Sequence, residues 1–390
     1  MEFLREARWL GRDRVVSYAR LTSLLYIPGL VFLLLVALDL LPIQRDTTGI
    51  DFVSFWTAAR LILEGGNPYD FASLAAQQSG SKYAFLYPPP FLMVVLPFGV
   101  LPYSVALLAW VGIGIAAFVA VARNLVPSVW PVLAFPPLLI NAAHGQNGAI
   151  TATLFIGAAL VMGRRPFLAG MLLGCLIIKP HLALLFPIAF LSGRKWAVVL
   201  GGAASVVLWC AASYLLLGSE AWVGFLTKGS EAKGLLEHNA MLLPKMVSVF
   251  GMLRAPGAPL WLAYGAQVAV GLAAAFAVSV SWAKAGEDTG FPMAVLATGA
   301  VLATPFIYSY DFVLLFLPIA WLAEDGMRRG FKGWVKAIMV VAFTIALFDR
   351  QLSSVIGFNP AFLASALLLF GLFHQRKHSA VERPREMSAA

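Results

Sequence analysis

Apolar stretches long enough to cross a bilayer recur along the whole chain, and basic residues crowd the ends of alternate stretches. That pairing restricts the fold more than any single motif does. With 60% of residues hydrophobic and 12% charged, a soluble globule is excluded, because too little polar surface is left to cover one. A spanning helix needs about 20 apolar residues. The clear candidates are 22–41, 104–122, 129–142, 148–163, 196–217, 259–283, 291–305, 311–323, 334–348 and 358–373. The stretch 166–191 carries Lys179-Pro180-His181 in its middle and arginines at both ends, so it reads as two short helices meeting at a turn. An all-α, polytopic protein of about twelve transmembrane helices follows. Segments 90–101 and 244–254 are short and Pro-punctuated, and suit re-entrant or interfacial pieces.

Most of the 28 Lys and Arg residues fall on one side under this alternation: Arg5, Arg8, Arg12, Arg14 and Arg20, then Arg123, Arg164-Arg165, Arg194-Lys195, Lys284, Arg328-Arg329, Lys332, Lys336 and the tail. The positive-inside bias makes that side cytoplasmic, together with both termini. The protein is then a multi-pass plasma (inner) membrane protein. The net charge of +9 is this orientation signal and not a nucleic-acid surface. The first twenty residues lack a cleavage site and read as a basic interfacial helix in contact with membrane lipids. Residues 1–374 form one membrane domain, and 375–390 read as a disordered cytoplasmic tail. Cys175 and Cys210 lie in separate apolar runs and read as core residues.

In the first outer loop, Phe52, Phe55, Trp56, Ala59, Ile62 and Leu63 recur at helical spacing, with Arg60 and Glu64 paired on the other face. Gly65-Gly66 ends that amphipathic helix, and a second runs over about 71–79. The outer turns collect unlike polar groups from distant parts of the chain, the pattern of a candidate active site. Asp51 reads as an N-cap, as a general base that takes a proton from an acceptor hydroxyl, or as both at once. Lys179 is either a snorkelling ammonium or a phosphate contact, and its removal is expected to cost little stability. His181 and Gln146 are further donors for a phosphate. Arg60, Tyr69, Tyr87, Asn147, Tyr310 and Asp311 supply candidate substrate contacts. His144 reads as a solvated loop residue, and Ser309 or Asp311 as a helix cap. No Asp-x-Asp, Walker A, His-Glu-x-x-His, Cys-x-x-Cys or Gly-x-Ser-x-Gly occurs. Neither a metal-bound nucleotide sugar nor ATP is therefore indicated, and no metal or other cofactor is expected.

Several strings together carry a resemblance. Asp51-Phe52-x-x-Phe55-x-x-Ala58-Ala59, Gly65-x-x-Pro68-Tyr69-Asp70, Tyr87-Pro88-Pro89, Gly145-Gln146-Asn147-Gly148, Arg165-Pro166-x-x-Ala169-Gly170, Lys179-Pro180 and Tyr310-Asp311 resemble glycosyltransferase family 87. The family is similar to the mycobacterial polyprenyl-phosphomannose-dependent α-mannosyltransferases. The resemblance implies a GT-C fold and a polyprenyl-phosphate sugar donor. It also implies a lipid or glycan acceptor, Asp51 as the catalytic aspartate and Lys179 near the lipid phosphate. Some members carry a His-Tyr pair where this chain has Tyr310-Asp311. The competing expectation is a transporter or flippase of an amphiphilic substrate, since broken helices serve transporters too.

The charge bias yields a direct expectation. Reporters fused after Gly65 or Glu237 report an extracytoplasmic position, and those after Arg165 or Arg329 a cytoplasmic one. Cytoplasmic labelling at Gly65 would put Asp51 in the wrong compartment and remove it from any outer-face chemistry.

Overall fold

The computed structural model describes residues 6–7, 9–38, 40, 49–78 and 83–381. Among them the chain is helical, with one isolated antiparallel bridge, Met246 to Tyr308, and no β-ladder. Four helices are long and apolar enough to cross a membrane: Arg12–Val36, Tyr103–Ala122, Trp196–Gly229 and Leu260–Ala283. A fifth crossing is possible by composition if Val335–Leu347 and Asp349–Ile356, bent by 78°, count as one. The four long helices leave many apolar side chains exposed, among them Leu25, Ile113, Leu215, Trp261 and Phe276. Exposure of that kind on span-length helices marks a membrane protein.

The remaining apolar helices are shorter than the expected spans. Gly148–Val161 and Gly290–Ala303 have 14 residues each, a rise of about 21 Å against a hydrocarbon core of about 30 Å. Gly290–Ala303 is buried from Phe291 to Ala303. Its all-round hydrophobicity comes from a position at the centre of the protein, not from contact with lipid. The segment expected to span 311–323 is a 3-10 turn, Ser309–Leu315, followed by the helix Phe316–Arg329. The last helix, Phe362–Val381, continues past the expected tail boundary at residue 375. Gln375 is fully buried there, donating to Asp325 Oδ2 at 3.0 Å and to the Gly330 carbonyl. Residues 382–390 lie outside the described residues, as do Arg5 and Arg8.

Several expected breaks are present. The stretch 166–191 divides into Pro166–Gly174, two 3-10 turns on either side of Lys179-Pro180, and Phe186–Ser192. Trp196–His238 is interrupted at Gly218, with φ 76° and ψ 175°. The segment between the first two long helices carries the helices Ile50–Leu63 and Phe71–Gln77. The second is capped by Asp70, whose carboxylate accepts from Ser73 N. An aromatic cluster fastens Ile50–Leu63 to its neighbours. Phe52 stacks on Trp110 at 5.8 Å, and Phe55 meets Phe91 edge-on at 4.8 Å.

One break sits in the interior, between Ala303 and Ser309. Backbone carbonyls freed there cannot turn to water, so other groups must answer them. Gln267 Nε2 donates to the Leu302 carbonyl, Ser248 Oγ to that of Pro305, and Val247 N to that of Ile307. This lacing fixes the segment that carries Tyr308, Tyr310 and Asp311.

Candidate active site

Asp51 lies in the first turn of Ile50–Leu63, but Gly49 is the N-cap, and no side chain caps this helix. The N-cap reading of Asp51 is therefore corrected. Gly49 takes the left-handed conformation with φ 65°, which leaves the Asp51 carboxylate outside the capping position. The helix Pro136–His144 ends against this start, closed by Gly145 at φ 63°. A Cβ on Gly145 would meet Phe52 Cβ at 2.6 Å, so only glycine lets the two helix ends approach this closely. Trp110 Nε1 donates to the Gly145 carbonyl, and Gly49 N to that of Ala143. His144 is thereby placed on Asp51, with Nδ1 to Oδ2 at 3.3 Å, and is not a solvated loop residue. Its Nε2 accepts from Arg350 Nη2 at 2.8 Å.

Behind this pair lies a second polar cluster. Lys179 Nζ is 2.5 Å from Asp311 Oδ1 and 3.2 Å from Asn147 Oδ1. The Lys179 and Asp311 residues are only 3% and 2% exposed, so Lys179 does not snorkel. Asp311 Oδ2 also accepts from Tyr308 N at 3.4 Å, completing a capping box at the start of the 3-10 turn. The Tyr310 ring lies 5.1 Å from Lys179 Nζ, 5.5 Å from Tyr308 and 5.7 Å from His144. Gly148 lets this segment close, because a side chain there would run into the Tyr310 carbonyl.

Gln146 Oε1 accepts from the Tyr87 hydroxyl at 3.1 Å and from Asn147 N at 3.0 Å. Burial pushes the Tyr87 phenol well up, reinforced by the Asp311 and Asp51 charges, so it remains a neutral donor. Tyr69 stands one step behind, with its hydroxyl on the Tyr87 carbonyl at 2.9 Å. His181 follows Lys179 on the next 3-10 turn, and its Nε2 has no hydrogen-bond partner among the described residues. Arg60 stands apart from the cluster. It pairs with Glu64 at 3.3 Å and lies over Trp56, nine residues along the helix from Asp51, or about 13 Å.

Two residues that the sequence does not single out join the site. Arg350 is on Asp349–Ile356, beyond the bend, and Lys245 ends the 3-10 turn Leu243–Lys245. Partial burial, with Arg350 nearby, lowers the Lys245 ammonium, and Asp51 opposes that shift. A usable signal exists: both fall in the minority of basic residues that the expected alternation of spans leaves off the basic-rich side.

Lys179 and Asp311 make the buried pair testable. Lys179→Met strands a buried carboxylate, at a cost of about 3–5 kcal/mol. Adding Asp311→Asn, which keeps an acceptor for Tyr308 N, recovers most of that loss. Thermal denaturation in detergent measures both. A single variant as stable as the parent protein would return Lys179 to the role of a dispensable charge.

Among proteins of known sequence and structure, no curated protein and no solved structure matches this chain. The family model for glycosyltransferase family 87 does match, over residues 85–305. This range includes Tyr87, His144, Gln146, Asn147, Lys179 and Lys245, while Asp51, Tyr310, Asp311 and Arg350 lie outside it. More than half of the 390 residues are matched, and the chain belongs to glycosyltransferase family 87, as a membrane glycosyltransferase.

Proposed function

We propose that this glycosyltransferase moves a hexose, with mannose the leading candidate, from a polyprenyl-phosphate donor to a lipid or glycan acceptor at the outer face of the plasma membrane. About twelve membrane passes, some made by broken helices, and cytoplasmic termini belong to the same proposal. One observation carries it: Asp51, a half-buried carboxylate free of capping duty, faces a polar cluster drawn from four other segments of an otherwise apolar chain, those of Tyr87, His144 to Asn147, Lys179 and Asp311.

Asp51 takes the proton of an acceptor hydroxyl, whose oxygen attacks the anomeric carbon. The bond from that carbon to the phosphate oxygen breaks, and its electron pair leaves with the polyprenyl phosphate. One displacement inverts configuration, so a β-linked donor gives an α-linked product. On the donor side, Gln146, His181 and Lys179 face the phosphate. An ammonium has three N–H donors. Asp311 and Asn147 engage two of them, which leaves one for a phosphate oxygen. Tyr87, Tyr310, Asn147 and Asp311 line the sugar. Tyr69 supports Tyr87 through its backbone, and Arg60 meets substrate only where it extends along the Ile50–Leu63 helix.

The test is transfer from radiolabelled polyprenyl-phosphomannose by purified protein supplied with membrane lipid acceptors. A labelled lipid product is expected. Asp51→Asn should lower turnover by about 100-fold or more with an unchanged melting temperature, since no cap is lost. Near-normal turnover in that variant removes Asp51 from the chemistry. Movement of an intact lipid-linked substrate without transfer would favour a flippase.

Metal dependence is a separate check. Among the described residues no three His, Cys, Asp or Glu side chains are placed to hold an ion. A monophosphate leaving group also carries less charge than a nucleotide diphosphate. Transfer should therefore survive EDTA. Loss on chelation with recovery on added Mg²⁺ or Mn²⁺ would overturn this mechanism.

A further inference from the structure

His144 is the nearest titratable neighbour of Asp51, and the chemistry above gives it no part. Its two ring nitrogens face different charges. Nε2 is 2.8 Å from Arg350 Nη2, and Nδ1 is 3.3 Å from Asp51 Oδ2. A guanidinium only donates, so Nε2 accepts. The proton of the neutral ring then sits on Nδ1, toward Asp51. That second contact is not aligned as a hydrogen bond. Contacts of this kind commonly tighten when substrate binds.

We infer that Arg350 is a positioning residue, which holds His144 as a neutral ring protonated on Nδ1 and so leaves the Asp51 carboxylate available to the acceptor hydroxyl. The inference rests on Asp51 being the base. Without Arg350, Nε2 is free to take a proton. An imidazolium 3.3 Å from Asp51 would pair with its carboxylate and make it a poorer base.

The fold fixes Arg350 from both sides. One residue earlier, Asp349 accepts from Ser309 Oγ and from Asn359 Nδ2 at 3.0 Å. Three residues later, Ser353 Oγ donates to the Pro244 carbonyl at 2.6 Å. The 78° bend before Asp349 turns this short helix away from the line of Val335–Leu347. Lys245 adds a second cation, close enough to act on both Arg350 and Asp51. Lys179 and Asp311 neutralise each other behind Tyr310, whose ring faces His144 and stacks on Tyr308. A proton on His144 Nε2 would stand against the Arg350 guanidinium.

Arg350→Met, Arg350→Lys and the parent protein form the test. The five histidines are labelled with ¹⁵N, and the His144 signal is assigned by its loss in His144→Gln. The parent and Arg350→Lys should show His144 protonated on Nδ1. In Arg350→Met that fixed tautomer is lost, and kcat falls by on the order of tenfold or more, with KM for donor and acceptor within about threefold. Arg350→Lys, which keeps charge and donor, should retain most of kcat. The inference is overturned by an Nε2-protonated ring in the parent protein. It is equally overturned by unchanged kcat in Arg350→Met, or by slower transfer with the tautomer unaltered. Should the parent protein transfer no sugar at all, the proposed function fails instead, and the ¹⁵N spectra still decide whether Arg350 sets the state of His144.

Discussion

The interior of this protein depends on one ion pair. Lys179 and Asp311 are separated by 132 positions in sequence, and each stands at a place where a helix breaks. Either charge alone would be expelled from so apolar an interior. Together, and with Asn147 and Tyr308 N as further partners, they are tolerated. Their meeting joins the break after Ile178 to the break after Ala303. The segments holding Gln146, Tyr87 and Tyr310 then inherit a fixed register. Buried pairs of this kind contribute little net stability but penalise any arrangement that separates them. In this chain the penalty sets which loops can meet around the site.

The breaks and the loop helices were legible because each carries a local signal. Lys179-Pro180 interrupts an apolar run, and Gly218 ends the expected stretch 196–217. Spacing of Phe52, Phe55 and Ala59 marked Ile50–Leu63. The number of crossings was not legible. A helix surrounded by protein and one surrounded by lipid are equally apolar, and Gly290–Ala303 is the former. Pairing of Lys179 with Asp311 was also out of reach, since no local pattern links positions so far apart. For Asp51 the sequence left two roles open. The left-handed turn at Gly49 excludes the capping one.

In the site, the residues that sequence reasoning passed over share a feature. His144 precedes a glycine turn and was read as part of it. Yet Gly145 is what brings His144 to Asp51, because the tight closure at Phe52 admits no side chain. Lys245 and Arg350 carried no local motif in the sequence and meet Asp51 and His144 through tertiary packing. Arg60, by contrast, has its answer close by in Glu64 and Trp56.

That contrast sorts the charges of the whole molecule. Asp325 is answered by Arg329 and Gln375, and Lys179 by Asp311 and Asn147. These groups are satisfied within the protein and hold elements together. Among the described residues Asp51 is answered by a histidine whose other nitrogen is already engaged, while Lys245 and Arg350 stand together as like charges. A half-satisfied polar cluster is costly in an apolar protein. It is retained around Asp51, at the helix ends that Gly145 brings together. The residues left incomplete by folding are therefore the ones with binding energy still to give, and they surround the Asp51 carboxylate.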